Sequence, residues 1–435
     1  MSKLLSYSDL LQRENFYESS VQRSPTGAVL QGSVQADVLV IGAGFAGLTA
    51  AIDLAKQGFK VVVLEAGQIC SGASGRNGGQ TLVGVASGQQ VLEKQLGLTD
   101  ARKIWDMSID AIRLLDQRIA EHGIDCDRVH GSLTVAESTR KAKALLKDAQ
   151  WLQDKYGFEL ELFSGADLQD HIASQRYYAA TYDKISGHLH PLKYGLGLAK
   201  AAQDLGVQIF EHSAVTQLHR GAELQAVTQQ GTVRAAFGVL AGNCLLAEYG
   251  AQVAPEITSR VMPVGSYMIA TEPLGEDLCR RLIPKNASVF DNNLVLDYFR
   301  FSKDHRMLFG GKVSYTSRTP VGLRESMAQR AAYIFPELQH AKVDYMWGGF
   351  VDISMNRAPD FGRLASNLFY LQGFSGHGVA LTGLAGQMVA QAIAGQAERF
   401  DVFARLKHHH FPGGAALRTP TLVLGMLYHR MMDLF

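Results

Sequence analysis

Residues 42–47 read Gly-Ala-Gly-Phe-Ala-Gly, a G-x-G-x-x-G turn whose chemistry is the grip of backbone amides on a diphosphate. Gly42 permits the tight turn, Gly44 lets a pyrophosphate approach the backbone, and Gly47 lets a helix pack closely on a strand. Phe45 and Ala46 begin that helix, whose N-terminal N–H groups are open to an anion. Glu65, 18 residues past Gly47, stands with Ala66 where a carboxylate accepts hydrogen bonds from both hydroxyls of an adenosine ribose. A carboxylate there disfavours a 2′-phosphate.

Such a site needs a strand, a helix and a second strand in register. Residues 37–42 form a short continuous apolar run, the pattern of a buried parallel strand. Leu48, Ala51, Ile52 and Ala55 follow at helical spacing, Gly58 closes the helix, and residues 60–65 supply the second strand. The turn alone does not separate two dinucleotides, NAD and FAD, that share an adenosine diphosphate half. The next segment does. Residues 72–80, Gly-Ala-Ser-Gly-Arg-Asn-Gly-Gly-Gln, are a long small-residue loop placed to run along a ribityl chain and a flavin. Ser74, Arg76, Asn77, Gly78, Gly79 and Gln80 are its expected cofactor contacts. A flexible hinge is the plainer alternative, but a hinge has no need of Arg76 and Asn77 between glycine pairs.

The 435 residues, 47% hydrophobic and 19% charged, suffice for one large core or two linked ones. With 42 basic and 41 acidic side chains and no block of one sign, nucleic acid and acidic membrane surfaces are not expected partners. Glycine, at 44 residues, is about 10% of the chain against a usual ~7%. The four cysteines, Cys70, Cys126, Cys244 and Cys279, lie far apart, as in a reduced compartment. No signal-like stretch opens the chain. The apolar run 421–428 is too short for a bilayer, which takes roughly 20 residues. The expectation is therefore a cytoplasmic protein without a membrane span.

Helical stretches near 99–121 and 138–156 alternate with strand-like runs at 131–136 and 158–163. Dinucleotide-domain character returns over 191–243, and aromatic-rich strands at 260–271, 293–301, 306–315 and 342–351 read as an antiparallel floor for a substrate pocket. Residues 367–372 form a last strand, and 376–394 a last helix. The expected organisation is a discontinuous FAD-binding domain (30–85, 187–255 and 350–405) and a substrate domain (86–186 and 256–349). An N-terminal arm (1–29) and a C-terminal tail (406–435) flank them.

Over nearly its whole length the chain resembles the D-amino-acid oxidase and sarcosine oxidase superfamily of FAD enzymes. The blocks at 72–79, 187–192 (Gly-His-Leu-His-Pro-Leu), 283–286 (Ile-Pro-Lys-Asn), 372–379 (Gln-Gly-Phe-Ser-Gly-His-Gly-Val) and 411–414 (Phe-Pro-Gly-Gly) are most similar to γ-glutamylputrescine oxidases. The resemblance implies an α/β fold: a Rossmann-type, glutathione-reductase-like FAD-binding domain interleaved with an α+β substrate domain. It also implies noncovalent FAD, oxidation of an aliphatic amine to an imine, hydrolysis to aldehyde and ammonia, and reoxidation by dioxygen with release of hydrogen peroxide. The partners are then a small amine and dioxygen.

By the same resemblance Val215 faces the adenine, Asn243 closes the site beside the pyrophosphate, and Gly373, Gly376, His377, Gly378 and Val379 face the flavin. The helix dipole behind these residues favours negative charge on reduced flavin. His377 touches flavin or substrate, or is a packed helix cap. Lys312 matches the lysine that activates dioxygen in sarcosine oxidases, or is a solvated strand lysine. Ala380 replaces the carboxylate-binding lysine of sarcosine oxidases, and no cysteine after Cys279 offers a covalent flavin link. Arg357 is either a carboxylate clamp of the glycine-oxidase kind or an ion-pair partner of Asp360. Tyr298, Phe299, Tyr315 and Trp347 either wall an apolar slot for the substrate methylenes or are core aromatics, and Arg300 is placed to meet a head-group carboxylate. Three consecutive histidines, 408–410, cannot easily converge on one ion, so no metal is assigned. The expected mechanism is hydride transfer from the carbon beside a neutral amine, with positioning and desolvation supplying most of the effect.

Overall fold

The structure, a computed structural model, describes residues 14–23, 27–250, 252–293, 295–314 and 319–411. Tyr315, the run 421–428 and residues 412–414 of the Phe-Pro-Gly-Gly block lie outside the described residues.

Alternating apolar side chains on Gly32–Ile41 are buried on both faces, as a central parallel strand requires. Val38 and Val40 enter one core, while Leu39 and Ile41 enter another. This strand pairs in parallel with Val61–Leu64 on one side and Gly231–Leu240 on the other. Gln208–Phe210 extends the sheet in parallel beyond Val61–Leu64, and Leu368–Gln372 beyond Gly231–Leu240. Asp360–Ala365 closes the far edge antiparallel. The strands therefore come from chain segments far apart in sequence. The first core is filled by helices Phe45–Lys56, Pro191–Asp204 and Gly378–Ile393. The ribbon Gln217–His219 and Leu224–Val227 covers the other face.

Two helix contacts fix this layer. A Cβ on Gly386 would lie 2.3 Å from Thr49 Oγ1 and 2.5 Å from the Ala50 nitrogen, so helices Phe45–Lys56 and Gly378–Ile393 touch backbone to backbone. Arg118, 1% exposed on Leu98–Glu121, pairs with Asp53 and donates to the Gly383 carbonyl at 3.0 Å. It ties three helices together.

The second sheet runs in the order Val343–Ser354, Val261–Thr271, Met307–Ser314, Tyr298–Phe301, Ser288–Asp291, Val129–Ala136, Ala179–His188 and Gln80–Thr81, with Glu161–Ser164 also on Ala179–His188. Its pairs are antiparallel except Ser288–Asp291 with Val129–Ala136, which is parallel. Gln80–Thr81, directly after the glycine loop, belongs to this second sheet through its pairing with Gly187 and His188. Strand Val343–Ser354 extends beyond residue 350 and joins the second sheet, not the first. One face packs helices Glu276–Leu282 and Leu323–Ile334 through Tyr267, Ile269, Phe299, Phe301 and Phe309. Met268, Ala270, Leu308 and Trp347 on the opposite face enter the core of the first domain. Among the described residues no single helix is long and apolar enough to cross a membrane.

Candidate active site

The glycine turn lies at the C-terminal edge of the parallel strands, where open α/β sheets bind ligands. Gly42 has φ +110°, and a Cβ there would meet the Ala241 carbonyl oxygen at 2.6 Å. A Cβ on Gly47 would stand 1.9 Å from the Gly42 oxygen. Gly44 is the N-cap of Phe45–Lys56, which has no side-chain cap. The Phe45 N–H is taken by Ser74 Oγ at 3.0 Å. A larger residue at 44 would strike that hydroxyl, 2.8 Å from its Cβ.

Glu65 is held by the Ala43 and Gly67 N–H groups, one on each carboxylate oxygen, at 2.7 and 2.8 Å. Each oxygen keeps lone pairs for a further donor. Burial is the main influence on its carboxyl pKa and raises it, against the lowering effect of those N–H groups. Val215 is buried with Ile41, Leu64 and Leu240, the residues that end the three central strands. Asn243 begins a short 3-10 turn in a left-handed conformation, φ +53°, its side-chain oxygen on the Cys244 N–H.

The loop after the second strand is built by its own asparagine. Asn77 donates to the carbonyls of Ala73 and Ser74 at 3.0 and 2.8 Å and accepts from the Gly79 N–H at 2.7 Å. Gln80 donates to the Val289 carbonyl at 3.1 Å. Arg76 is 6% exposed, and its Nε donates to the Gly348 carbonyl at 2.7 Å. Burial lowers its pKa to about 10. Gly78 lies under the ring of Tyr298, 2.9 Å from a Cβ placed there, and a Cβ on Gly310 would come within 2.0 Å of the same ring. Tyr298 reaches Ser266 Oγ at 3.2 Å, and burial pushes its phenol up to about 12.

The helix Gly378–Ile393 starts at His377 with no side-chain cap, so its first N–H groups are left unmet by any cap. Val379 and Ala380 in its first turn are buried. Gly373 and Gly376 have φ +75° and +90°. A residue the sequence reading missed holds this turn. Asp352, 3% exposed on the second sheet, accepts from the N–H groups of Gly373 and Phe374, and its backbone carbonyl accepts from Ser375 at 3.0 Å. A single acid in a strand carries no sequence signal for this role. The His377 pKa is lowered to about 4, first by burial and then by the charge of Arg357, against a hydrogen bond to the Val83 backbone.

Several expected roles are corrected. Arg300 does not face a substrate head group. It is 3% exposed and donates to the carbonyls of Gly78 (2.6 Å) and Leu189 (2.9 Å) and to Tyr17 Oη (3.2 Å). Trp347 is fully buried with its Nε1 on the Arg76 carbonyl at 3.0 Å, so it supports the loop and walls no slot. Phe299 points to the helix-covered face, against Phe309 and Phe335. Of the three described slot aromatics, Tyr298 and Trp347 lie against the glycine loop, and Phe299 does not. Arg357, exposed and at φ +59°, does not pair with Asp360, whose oxygens serve Tyr370 and Gln372 at 2.9 Å each. Lys312 is exposed, the extra residue of a β-bulge opposite Ser266 and Tyr267, with φ +58°. His408 and His410 serve different partners, the Pro359 carbonyl and Ser259 Oγ.

A dinucleotide fits these residues: two helix N-termini whose N-cap residues supply no side-chain cap, a carboxylate held by backbone N–H groups at the second strand end, and glycines whose Cβ positions would strike neighbouring atoms. The family model described as FAD dependent oxidoreductase matches residues 37–392. The chain belongs to this FAD-dependent oxidoreductase family. The cofactor is accordingly FAD, and the protein is an enzyme acting on amines. The FAD-dependent oxidoreductase is 40% identical to the γ-glutamylputrescine oxidoreductase of Escherichia coli (strain K12), over 96% of this chain and 98% of that protein. It is also 40% identical to the probable oxidoreductase OrdL of Haemophilus influenzae, over 92% of each chain. Its fold is that of the glycine oxidase from Geobacillus kaustophilus, with a TM-score of 0.73 at 20% identity over 86% of this chain and all of that one.

Proposed function

We propose that this oxidoreductase oxidises the terminal primary amine of a γ-glutamylated polyamine, γ-glutamylputrescine or a near homologue, in polyamine catabolism. The observation that carries this reading is the 40% identity to a γ-glutamylputrescine oxidoreductase across nearly the full length of both chains. In the reaction the C–H and N–H beside the amine nitrogen are lost with two electrons, giving an imine. Water then releases ammonia and leaves the aldehyde. The electrons end on dioxygen as hydrogen peroxide.

Gly42, Gly44, Phe45, Ala46 and Gly47 would hold the pyrophosphate, Glu65 and Ala66 the adenosine ribose, and Val215 the adenine. Asn243 closes that end. Residues 74–80 would flank the ribityl chain, and Gly373, Gly376, His377, Gly378 and Val379 the flavin. FAD, when bound, supplies a two-electron acceptor for the carbon beside the nitrogen. The protein's own contribution is position and dryness: Tyr298 lines the glycine loop with an aromatic face, and the neutral amine meets no strong base. His377, with its pKa held near 4, is neutral at neutral pH and orients rather than abstracts. Lys312 would place a cation where charge develops on dioxygen.

A second reading, an amino-acid oxidase or dehydrogenase of the D-amino-acid, glycine or sarcosine kind, is favoured by one observation. Arg357 ends a turn on the Ser354 carbonyl at 3.0 Å, and the Ser354 N–H meets Ser375 Oγ at 3.2 Å, so the arginine stands beside the turn at 373–378, where it would hold a substrate carboxylate. Anaerobic mixing of the yellow protein with γ-glutamylputrescine, putrescine, sarcosine and D-alanine separates the two. Bleaching of the flavin band by the γ-glutamyl amine alone is expected. Bleaching by the amino acids, with none by the γ-glutamyl amine, would transfer the assignment to Arg357.

A further inference from the structure

We infer that residues 15–23 are a positioning element of the FAD site, and that Tyr17 sets the glycine-loop turn at 76–79 through Arg300 and Trp347. The inference rests on FAD binding alone and not on the identity of the amine.

The arm is part of the core. Tyr17 is 0% and Phe16 5% exposed, on the short helix Phe16–Ser19 that Asn15 caps through the Glu18 N–H. The Tyr17 ring stands edge-on to Trp347, with centroids 5.3 Å apart, and edge-on to His190, 4.8 Å apart. Its hydroxyl accepts from Arg300 Nη2 at 3.2 Å. Those two contacts converge on one turn. Trp347 holds the carbonyl of Arg76, and Arg300 holds the carbonyl of Gly78, one residue either side of Asn77. Two of the outside grips on the turn therefore lean on a single phenol more than fifty residues upstream, while Arg76 Nε on the Gly348 carbonyl and the Leu189 N–H on the Gly79 carbonyl hold it independently.

The arm is anchored to the first domain as well. Ser20 Oγ meets His190 Nε2 at 2.9 Å, and His190 Nδ1 accepts the Lys193 N–H at the head of Pro191–Asp204. Arg23, paired with Glu18, donates to the Ile69 carbonyl at 2.9 Å, just before the glycine loop begins. Thus residues 15–23 touch strands of the second sheet and the loop and helix of the first. The turn between them is the one the flavin meets. Losing the phenol leaves the buried Arg300 with one acceptor fewer and Trp347 with a void at its face, so the turn at 76–79 gains alternatives that only one geometry of bound FAD can use.

The test compares Tyr17→Phe and Tyr17→Leu with Phe335→Leu, a core change on the helix-covered face of the second sheet. For each, the dissociation constant for FAD, the position and vibronic structure of the bound-flavin band, and the thermal midpoint of the FAD-free protein are measured. Tyr17→Leu is expected to weaken FAD on the order of tenfold or more, as loss of about one charge-assisted hydrogen bond and its packing implies, and to alter the flavin band. Tyr17→Phe is expected to fall between it and the parent. Phe335→Leu should lower the thermal midpoint while leaving FAD affinity and spectrum unchanged. An unchanged dissociation constant and band in Tyr17→Leu would overturn the inference, as would loss of FAD in Phe335→Leu in the same proportion to its loss of stability. If Tyr17→Leu does not fold, Tyr17→Phe alone decides it, parental affinity and spectrum counting against. None of these readouts requires a substrate, so a wrong amine assignment leaves the result interpretable.

Discussion

Trp347 gives its indole N–H to the Arg76 carbonyl, and Arg76 returns a guanidinium hydrogen bond to the carbonyl of Gly348. Two residues that neighbour each other on a strand of the second sheet thus clasp one residue of the glycine loop from both ends. Because the pair is buried, neither bond competes with water. Trp347→Phe keeps most of the volume and leaves the Arg76 carbonyl without this donor. The cost is about 1–3 kcal/mol, visible as a lower urea midpoint, and parental stability would show that the clasp contributes nothing.

Asp352 predicts a pH dependence. Burial, outweighing the backbone N–H groups of Gly373 and Phe374, raises its carboxyl to about 7, whereas in the unfolded chain a carboxyl of this kind titrates near ~3.9. The folded state therefore holds more protons between these values, and the Asp352 contribution to stability is full below about pH 4 and is lost as pH rises through about 7. Unfolding free energies of the parent and Asp352→Asn, measured at pH 5 and pH 8, should show the parent losing about 2–3 kcal/mol relative to the variant over that interval. A constant difference would mean that the carboxyl is not held in its neutral form.

His377 should be silent in the pH profile of flavin reduction. With its pKa lowered to about 4 by burial and the Arg357 charge, the imidazole stays neutral from pH 5.5 to 9. His377→Asn is expected to slow anaerobic reduction less than about tenfold and to leave the shape of the profile intact, since a general base contributes typically 10²–10⁴-fold. Loss of an inflection in the variant, or a rate loss of several orders of magnitude, would restore the base.

Lys312 joins backbone strain to its proposed role in the oxygen half-reaction. A lysine at φ +58° in a bulge position pays about 1 kcal/mol that glycine would not. Lys312→Gly is expected to raise the thermal midpoint slightly, and both Lys312→Gly and Lys312→Met to slow reoxidation by dioxygen by tenfold or more while sparing flavin reduction. An oxygen rate equal to the parent's in both variants removes Lys312 from the oxygen half-reaction.

The sequence by itself determined the opening βαβ unit, because its signals are local. A buried apolar run, helical spacing from Leu48 to Ala55 and glycines at 42, 44 and 47 each act within a few residues, and each glycine proves to be where a Cβ would strike backbone or Ser74. The position of Glu65 and the asparagine-built loop at 77 follow from the same short-range chemistry. What only the tertiary structure decided is which long side chains face the site. Tyr298, Phe299 and Arg300 are adjacent in sequence, yet Tyr298 and Arg300 lie by the glycine loop and Phe299 lies under the helices, because strand alternation sets the face and distant backbone carbonyls capture the guanidinium. Trp347 was drawn inward by the Arg76 carbonyl, some 270 residues away in sequence. The roles of Asp352 and Tyr17 were invisible in the sequence for that same reason: their partners are backbone groups and charges brought close only when the two sheets meet, and a carbonyl leaves no mark on the residue type that carries it.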